Sequence, residues 1–336
     1  MLQVINGDAL TELRKLPDRC IQTCVTSPPY WGLRDYGTAK WEGGSDDCKH
    51  TVSKDNREYK ATGGGCTSWN DRKDNPQFRI CKCGAKRIDE QLGLEETPEL
   101  FISKMVEIFR EVRRVLKDDG TLWMNMGDSY FDKSLVGAPW LLAFALKSDG
   151  WYLRSDIIWY KPNPMPESVT DRPTKAHEYI FLMSKSERYF YDAEAIREPA
   201  IYGRVDLPNA IAKDGRKALS SAMFRHVGDA KEPIQRGNFQ AGKTFNPESG
   251  RNKRTVWTIA TQPYSEAHFA TFPEDLVKPC VLAGSKVGDT VLDPFAGSGT
   301  SLRVAIELGR QAIGIELNPE YCKLIESRCQ TTAGML

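Results

Sequence analysis

The chain has 336 residues, a net charge of +1, 40% hydrophobic residues and 27% charged residues. That is globular composition, enough for one large domain or two modest ones, and it excludes a disordered or fibrous chain. No apolar run reaches the length of a membrane span. The start, Met1-Leu2-Gln3-Val4-Ile5-Asn6-Gly7-Asp8, lacks the basic and apolar regions of a signal peptide, so a cytoplasmic location is expected. Nine Cys in a reducing compartment make disulfides unfavourable and leave a metal site open.

In chain order, Val4-Ile5-Asn6 predicts a short strand that ends in a turn at Gly7-Asp8. A helix follows over Ala9 to Leu16 and is stopped by Pro17-Asp18. Ile21 to Thr26 reads as a buried strand. It runs into Ser27-Pro28-Pro29-Tyr30, where two prolines forbid further ladder pairing and stiffen the loop. Residues 32–90 are rich in Gly, Asp, Asn, Lys and Cys and poor in aliphatics, which predicts an insertion with little core of its own. Thr97 is the expected N-cap of the next helix, with Pro98 at its first position. Phe101, Met105, Ile108, Phe109, Val112, Val115 and Leu116 mark its apolar face, and Asp119-Gly120 is read as its end. Strands are predicted over Thr121 to Met126, Leu153 to Tyr160 and Glu178 to Met183, with a helix over Pro139 to Leu146. A proline-rich loop carries Pro162, Pro164 and Pro166.

Residues 201–254 hold 11 Lys/Arg against 5 Asp/Glu, while the remainder is slightly acidic. The last third predicts a βαβ unit: strand Thr290 to Leu292, a Gly-rich loop, helix Ser301 to Leu308, then strand Ala312 to Glu316. Strands alternating with helices at both ends of the chain imply one doubly wound, Rossmann-like α/β sheet with helices on both faces. Ligands are expected at the C-terminal ends of its strands.

Two motifs carry chemistry. Asp293-Pro294-Phe295-Ala296-Gly297-Ser298-Gly299-Thr300 follows a strand, and its glycines allow a tight turn close to a ligand. Glu316 ends the next strand and can bond two ribose hydroxyls. The loop has no Lys for a phosphate-binding motif, and Leu302 stands where a dinucleotide fingerprint needs Gly. Asp293 would repel a pyrophosphate but suits a zwitterion such as the methionine part of S-adenosylmethionine. The competing reading is a tight turn with no ligand. In the second motif, Ser27-Pro28-Pro29-Tyr30, rigidly placed acceptors suit an exocyclic base amine. That nitrogen's lone pair is delocalised, and acceptors aimed at its hydrogens favour the reactive form. Tyr30 can stack on a base lifted from the duplex. Its competitor is a proline-rich turn with a packed Tyr.

Together these segments resemble the cytosine-N4/adenine-N6 DNA methyltransferases of the beta class, in which the catalytic motif precedes the cofactor motif. The resemblance runs through Asn6-Gly7-Asp8, Thr26 to Trp31, Gly127-Asp128, Ile158 to Asn163, His177-Glu178-Tyr179, His268 to Pro273 and Asp293 to Thr300. It covers roughly residues 1–38, 95–200 and 256–325. It implies S-adenosyl-L-methionine as cofactor and double-stranded DNA as substrate. By position, Phe295, Gly297, Gly299 and Thr300 would line the cofactor, with Asp293 at the entrance. Glu316 and Asn318 would hold its ribose side, Asp8 would face its adenine amine, and Phe272-Pro273 would border its methionine end. Asp8 could equally cap the following helix, and Phe272-Pro273 could be ordinary core and turn. Ser27, Pro28, Pro29 and Tyr30 would hold the target base. Ser at position 27 leans toward cytosine N4, with adenine N6 the alternative. No Cys adjoins Pro28-Pro29, which argues against cytosine-C5 chemistry.

The implied organisation is a catalytic part over 1–200 with an insertion at 39–92, a target-recognition segment over 201–254, and a cofactor-binding part over 255–336 of the same domain. Expected DNA contacts are Lys161, Asn163, Arg172 and Lys175 around the proline-rich loop, and Arg216, Arg225, Arg251, Lys253 and Arg254 in the basic segment. In the insertion, Cys48, His50, Cys81 and Cys83 are thiolate and imidazole ligands of the kind zinc takes, with Cys66 a less favoured fifth. The competing reading there is a loop of reduced, unligated Cys. A cognate restriction endonuclease as partner and a monomeric or homodimeric state are compatible with all of this. The rival functions are an RNA or protein-glutamine methyltransferase and a non-catalytic, zinc-organised DNA-binding protein.

Overall fold

The computed structural model describes residues 1–32, 40–45, 47–50, 81, 83–88, 91–95, 97–131, 133–199, 250–262 and 272–333. Two compact units emerge: Met1–Ile196 with Arg254–Leu336, and Arg197–Lys253. In the second, the described residues form an antiparallel bridge between Glu198 and Arg251, closed by an ion pair at 3.1 Å.

The first unit is built on one sheet. In chain order it contains β1 (Leu2–Asn6), α1 (Ala9–Leu13), β2 (Ile21–Thr26), β3 (Lys40–Glu42) and β4 (Lys86–Ile88). These are followed by α2 (Pro98–Val115), β5 (Leu116–Met126), β6 (Tyr130–Phe131), β7 (Ser134–Leu135), α3 (Ala138–Ser148), β8 (Tyr152–Tyr160) and β9 (His177–Ser184). The last third adds β10 (Val256–Thr258), α4 (Glu274–Gly284), β11 (Thr290–Asp293), α5 (Thr300–Glu307), β12 (Gln311–Glu316) and α6 (Pro319–Ala333). Eight strands form the sheet in the order β1-β12-β11-β2-β5-β9-β8-β10. All neighbours pair in parallel except β9, which runs antiparallel to both β5 and β8. β3 with β4, and β6 with β7, make separate two-stranded hairpins.

Side chains alternate across a strand, and the cores follow that alternation. Cys24, Leu122, Met124, Phe181, Met183 and Leu292 enter one apolar cluster, with Leu13 of α1, the buried face of α2 and Leu142 of α3. Val25, Trp123, Ile180, Leu182 and Val291 enter the other, with Leu276 of α4, Val304 of α5 and Ile325 of α6. Three helices thus cover each face, and the central strands read as continuous apolar runs because both sides are buried. Thr97 caps α2 by accepting from Leu100 N at 3.3 Å, with Pro98 in the first turn. Among the described residues, no helix is long and apolar enough to cross a membrane.

Several boundaries differ from the sequence expectation: α1 ends at Leu13, not Leu16, and β5 begins at Leu116, not Thr121. α2 ends at Val115, not at Asp119-Gly120, because Leu116 turns extended (φ −68°, ψ 141°) and pairs with Ile21. Val115 and Leu116 are both fully buried, so apolar spacing could not separate the last helical residue from the first strand residue.

Candidate active site

The parallel strands β1, β12, β11, β2 and β5 all end on one edge of the sheet. Their terminal residues place the two sequence motifs side by side. Asp293, last in β11, has no solvent exposure. Its Oδ1 accepts from Thr26 Oγ1 at 2.6 Å and from Phe295 N at 3.0 Å, and its Oδ2 accepts from Ser301 Oγ. Thr26 is the residue immediately before Ser27, so one buried carboxylate ties the two loops together. Burial pushes the Asp293 carboxyl up to about 6, against the hydrogen bonds from Ser301, Thr26 and the Phe295 amide. This corrects the expectation that Asp293 faces a ligand: its lone pairs are turned inward to organise the loop.

Glu316, last in β12, lies at the open front of that loop. Its Oε2 accepts from Gly297 N and its Oε1 from Asn318 N, both at 2.8 Å. Burial raises its pKa. Gly297 has φ +52°, and a Cβ built there would meet only Phe295 O, at 3.9 Å. Among the described residues, the space before the loop is therefore open. A carboxylate with remaining lone pairs beside it fits a ligand bearing paired hydroxyls, as the ribose of S-adenosylmethionine does. Gly299 and Thr300 start α5, and Phe295 packs edge-on against Phe109 at 6.5 Å.

The second loop is held by side chains. Tyr30 Oη donates to Glu178 Oε2 at 2.8 Å and accepts from Asn125 Nδ2 at 2.9 Å. Asn125 Nδ2 also reaches Glu178 Oε2 at 3.0 Å and Ser27 Oγ at 3.4 Å. Lys161 Nζ closes the set on Glu178 Oε1 and sits 4.2 Å from the Trp159 ring centroid. Burial and the Glu178 charge hold the Tyr30 phenol well above its ordinary value. At position 127 only Gly fits without displacing the ring: a Cβ there would lie 2.7 Å from Tyr30 Cε2. Phe272 lines a small cleft with Thr26, Trp123 and Asn125, and Pro273 precedes α4 as its N-cap.

The remaining expected residues fall into three groups. Asp8 adopts the capping alternative, with Oδ1 accepting from Thr11 N at 2.9 Å and Thr11 Oγ1 at 2.8 Å. It lies two residues after Asn6, which pairs with Glu316, so it stays on the same edge. Asn318 Oδ1 accepts from Glu320 N at 2.9 Å and starts α6.

Several of the expected DNA contacts also have partners within the protein. Lys161 faces Glu178. The Asn163 amide clamps Thr261 through two bonds, at 2.9 and 3.3 Å. Arg172 pairs with Glu167 at 2.6 Å and lies 3.9 Å from the Tyr130 ring centroid. Arg251 is held by Glu198. Burial lowers the Lys175 ammonium pKa, against the nearby carboxylates of Asp128, Glu178 and Glu167. Lys253 is half-buried and Arg254 is exposed. Arg216, Arg225, Cys66 and the stretch His268 to Thr271 lie outside the described residues.

The third group is Cys48, His50, Cys81 and Cys83, whose ligand atoms all lie within 4.8 Å of one another.

Sequence reasoning did not assign roles to Asn125, Thr26 or Glu178. A signal existed for Asn125: it is the polar residue in the apolar run Leu122-Trp123-Met124-Asn125-Met126, and it is 4% exposed.

Comparison with known proteins accords with this geometry. A DNA methylase family model for N6 and N4 enzymes matches residues 21–327. Type II methyltransferase M.Cfr9I of Citrobacter freundii is 39% identical, over 97% of this chain and 87% of that protein. Type II methyltransferase M.SmaI of Serratia marcescens is 38% identical, over 97% and 90%. In fold the chain is similar to PvuII DNA methyltransferase (cytosine-N4-specific). That match has a TM-score of 0.60 and 16% identity, and covers 99% of this chain and 90% of the other. It is also similar to a Thermus thermophilus protein solved in complex with S-adenosyl-L-methionine, with a TM-score of 0.54, 21% identity and coverage of 100% and 98%. The chain belongs to the N4/N6 family of DNA methylases and is an S-adenosylmethionine-dependent, site-specific DNA amino-methyltransferase.

Proposed function

We propose that the enzyme methylates cytosine N4 of a base flipped out of duplex DNA, and that Ser27, Pro28, Pro29 and Tyr30 hold that base. The observation that carries this reading is the bond from Thr26 to Asp293, which sets the Ser27 to Tyr30 loop against the cradle of Gly297 and Glu316. The bound cofactor supplies an electrophilic methyl group. Every other contribution comes from the chain.

The target amine is a weak nucleophile, so catalysis reduces to positioning and to acceptors that stabilise charge developing on nitrogen. The Pro28 carbonyl and Ser27 Oγ are such acceptors. Asn125 Oδ1, buried and without a hydrogen-bond partner among the described residues, offers a third to an incoming N–H. Glu178, fixed by Lys161, holds the Tyr30 hydroxyl and so the plane of its ring. That ring supplies a stacking face for the extruded base. Glu316 holds the ribose, and Asp8 and Phe272-Pro273 flank the cofactor. Residues 201–254, with Arg216, Arg225, Lys253 and Arg254, read the DNA through phosphates and base edges. A partner endonuclease and a cytoplasmic location complete the proposal.

Incubation with S-adenosylmethionine and duplex DNA, followed by nucleoside mass spectrometry, tests it. N4-methylcytosine is the expected product. N6-methyladenine would transfer the same site to the adenine alternative, and no methylated amine would overturn the reading.

A further inference from the structure

The insertion brings three thiols and an imidazole together although its sequence is poor in aliphatics. Cys48 and His50 come from the segment after β3, and Cys81 and Cys83 from the turn before β4. The antiparallel pairing of Lys40 to Glu42 with Lys86 to Ile88 sets the two arms facing each other. Cys48 Sγ lies 3.7 Å from Cys81 Sγ, and Cys83 Sγ lies 3.3 Å from His50 Nδ1. A sulfur separation of 3.7 Å is far too long for a disulfide bond. Ligands at the usual zinc–sulfur and zinc–nitrogen distances, arranged tetrahedrally around one ion, sit about 3.6–3.8 Å apart. The observed separations lie close to that spacing.

The surroundings are those of a metal knuckle. Cys81 N donates to Ala85 O, and Gly84 N donates to Cys81 O, both at 2.8 Å, which closes a tight turn around the two thiols. Trp41 of β3 stacks on the His50 ring at 5.4 Å and fixes its orientation. The other described cysteines, Cys20, Cys24, Cys280, Cys322 and Cys329, are not part of the cluster.

We infer that Cys48, His50, Cys81 and Cys83 form a tetrahedral Cys3His zinc site that closes the insertion onto the catalytic loop. All four positions come from protein, so the site is structural and leaves no open position for a reacting water. Each arm lies 33 residues from its partner in sequence, so one ion closes a long loop that has few aliphatics to bury. Residues 91–95, which follow this site in the sequence, bond the residues that follow Tyr30. Gly32 N donates to Gly93 O at 2.7 Å, and Trp31 Nε1 donates to Glu95 O at 3.1 Å. The metal therefore holds the segment that backs Tyr30 and Trp31.

Full-length protein grown with zinc and dialysed against metal-free buffer should contain one zinc per chain by elemental mass spectrometry. Cys81→Ser and Cys83→Ser should each lose it, and Cys66→Ser should keep it. Wild-type protein loaded with cobalt(II) in place of zinc should show the visible bands of tetrahedral coordination and a sulfur-to-metal charge-transfer band. This readout does not depend on whether the serine variants fold. Zinc-free wild-type protein without a tetrahedral cobalt spectrum, or Cys83→Ser protein that keeps its zinc, would overturn the assignment. Loss of zinc from Cys66→Ser together with retention in Cys48→Ser would overturn the ligand set.

Discussion

The two loops that meet at the sheet edge are held in opposite ways. The 293–300 loop is organised locally. Asp293 bonds Phe295 and Ser301, two and eight residues away, and Gly297 bonds Glu316, nineteen away. The Ser27 to Tyr30 loop is organised at a distance. Tyr30 depends on Asn125 and Glu178, 95 and 148 residues further along the chain. The proposed cofactor cradle, made of backbone amides and one carboxylate, is a short-range device. The proposed base-holding loop is aimed by the rest of the fold. Among the described residues, the side-chain bond from Thr26 to Asp293 joins the two.

That junction is where the comparison breaks most severely. Asp293→Ala leaves Phe295 N and two buried hydroxyls without their acceptor, which costs about 2–4 kcal/mol in chemical denaturation. Cofactor affinity and methyl transfer should fall together. Asp293→Asn separates shape from charge. The folded-state pKa of about 6 lies above the ordinary value of 3.8. This group's stabilising contribution is therefore fully present below 3.8 and lost as pH rises through about 6. Wild-type stability relative to Asp293→Asn should thus be greater at pH 4 than at pH 7, by about 2 kcal/mol in paired urea melts. A difference that does not change with pH would contradict the buried-carboxylate account.

Glu178→Gln sharpens the contrast next. It weakens the hold on Tyr30 and leaves Lys161 without its partner, so transfer should drop by about 100-fold while cofactor affinity, read by calorimetry, stays the same. Glu316→Gln should do the converse. Cofactor affinity falls by about 10-fold, and transfer at saturating cofactor changes little. The smallest effect lies away from both loops: Thr97→Ala removes the α2 cap and costs about 1 kcal/mol in a thermal melt, with cofactor affinity and transfer unchanged.

The same contrast explains what the sequence disclosed. The βαβ unit, the α2 cap at Thr97-Pro98 and the cradle of Gly297 and Glu316 were legible because their partners lie close together in sequence. The reversal of β9 between β5 and β8 was not, since strand direction leaves no mark on an apolar run. Glu178 and Asn125 were invisible as partners of Tyr30 because sequence distance hides a contact across three neighbouring strands. The internal partners of Lys161, Asn163 and Arg172 were hidden for a related reason. A cation or amide in a proline-rich loop looks the same whether it meets a phosphate or, as here, Glu178, Thr261 and Glu167.

The Ser27 to Tyr30 loop, proposed to perform the transfer, meets the 293–300 loop through Thr26 but takes the aim of its Tyr30 ring from Asn125 and Glu178. Methyl incorporation into duplex DNA by Tyr30→Ala at saturating S-adenosylmethionine tests that role most directly. A loss of more than about 100-fold with cofactor affinity retained is expected. Transfer at the wild-type rate would contradict it.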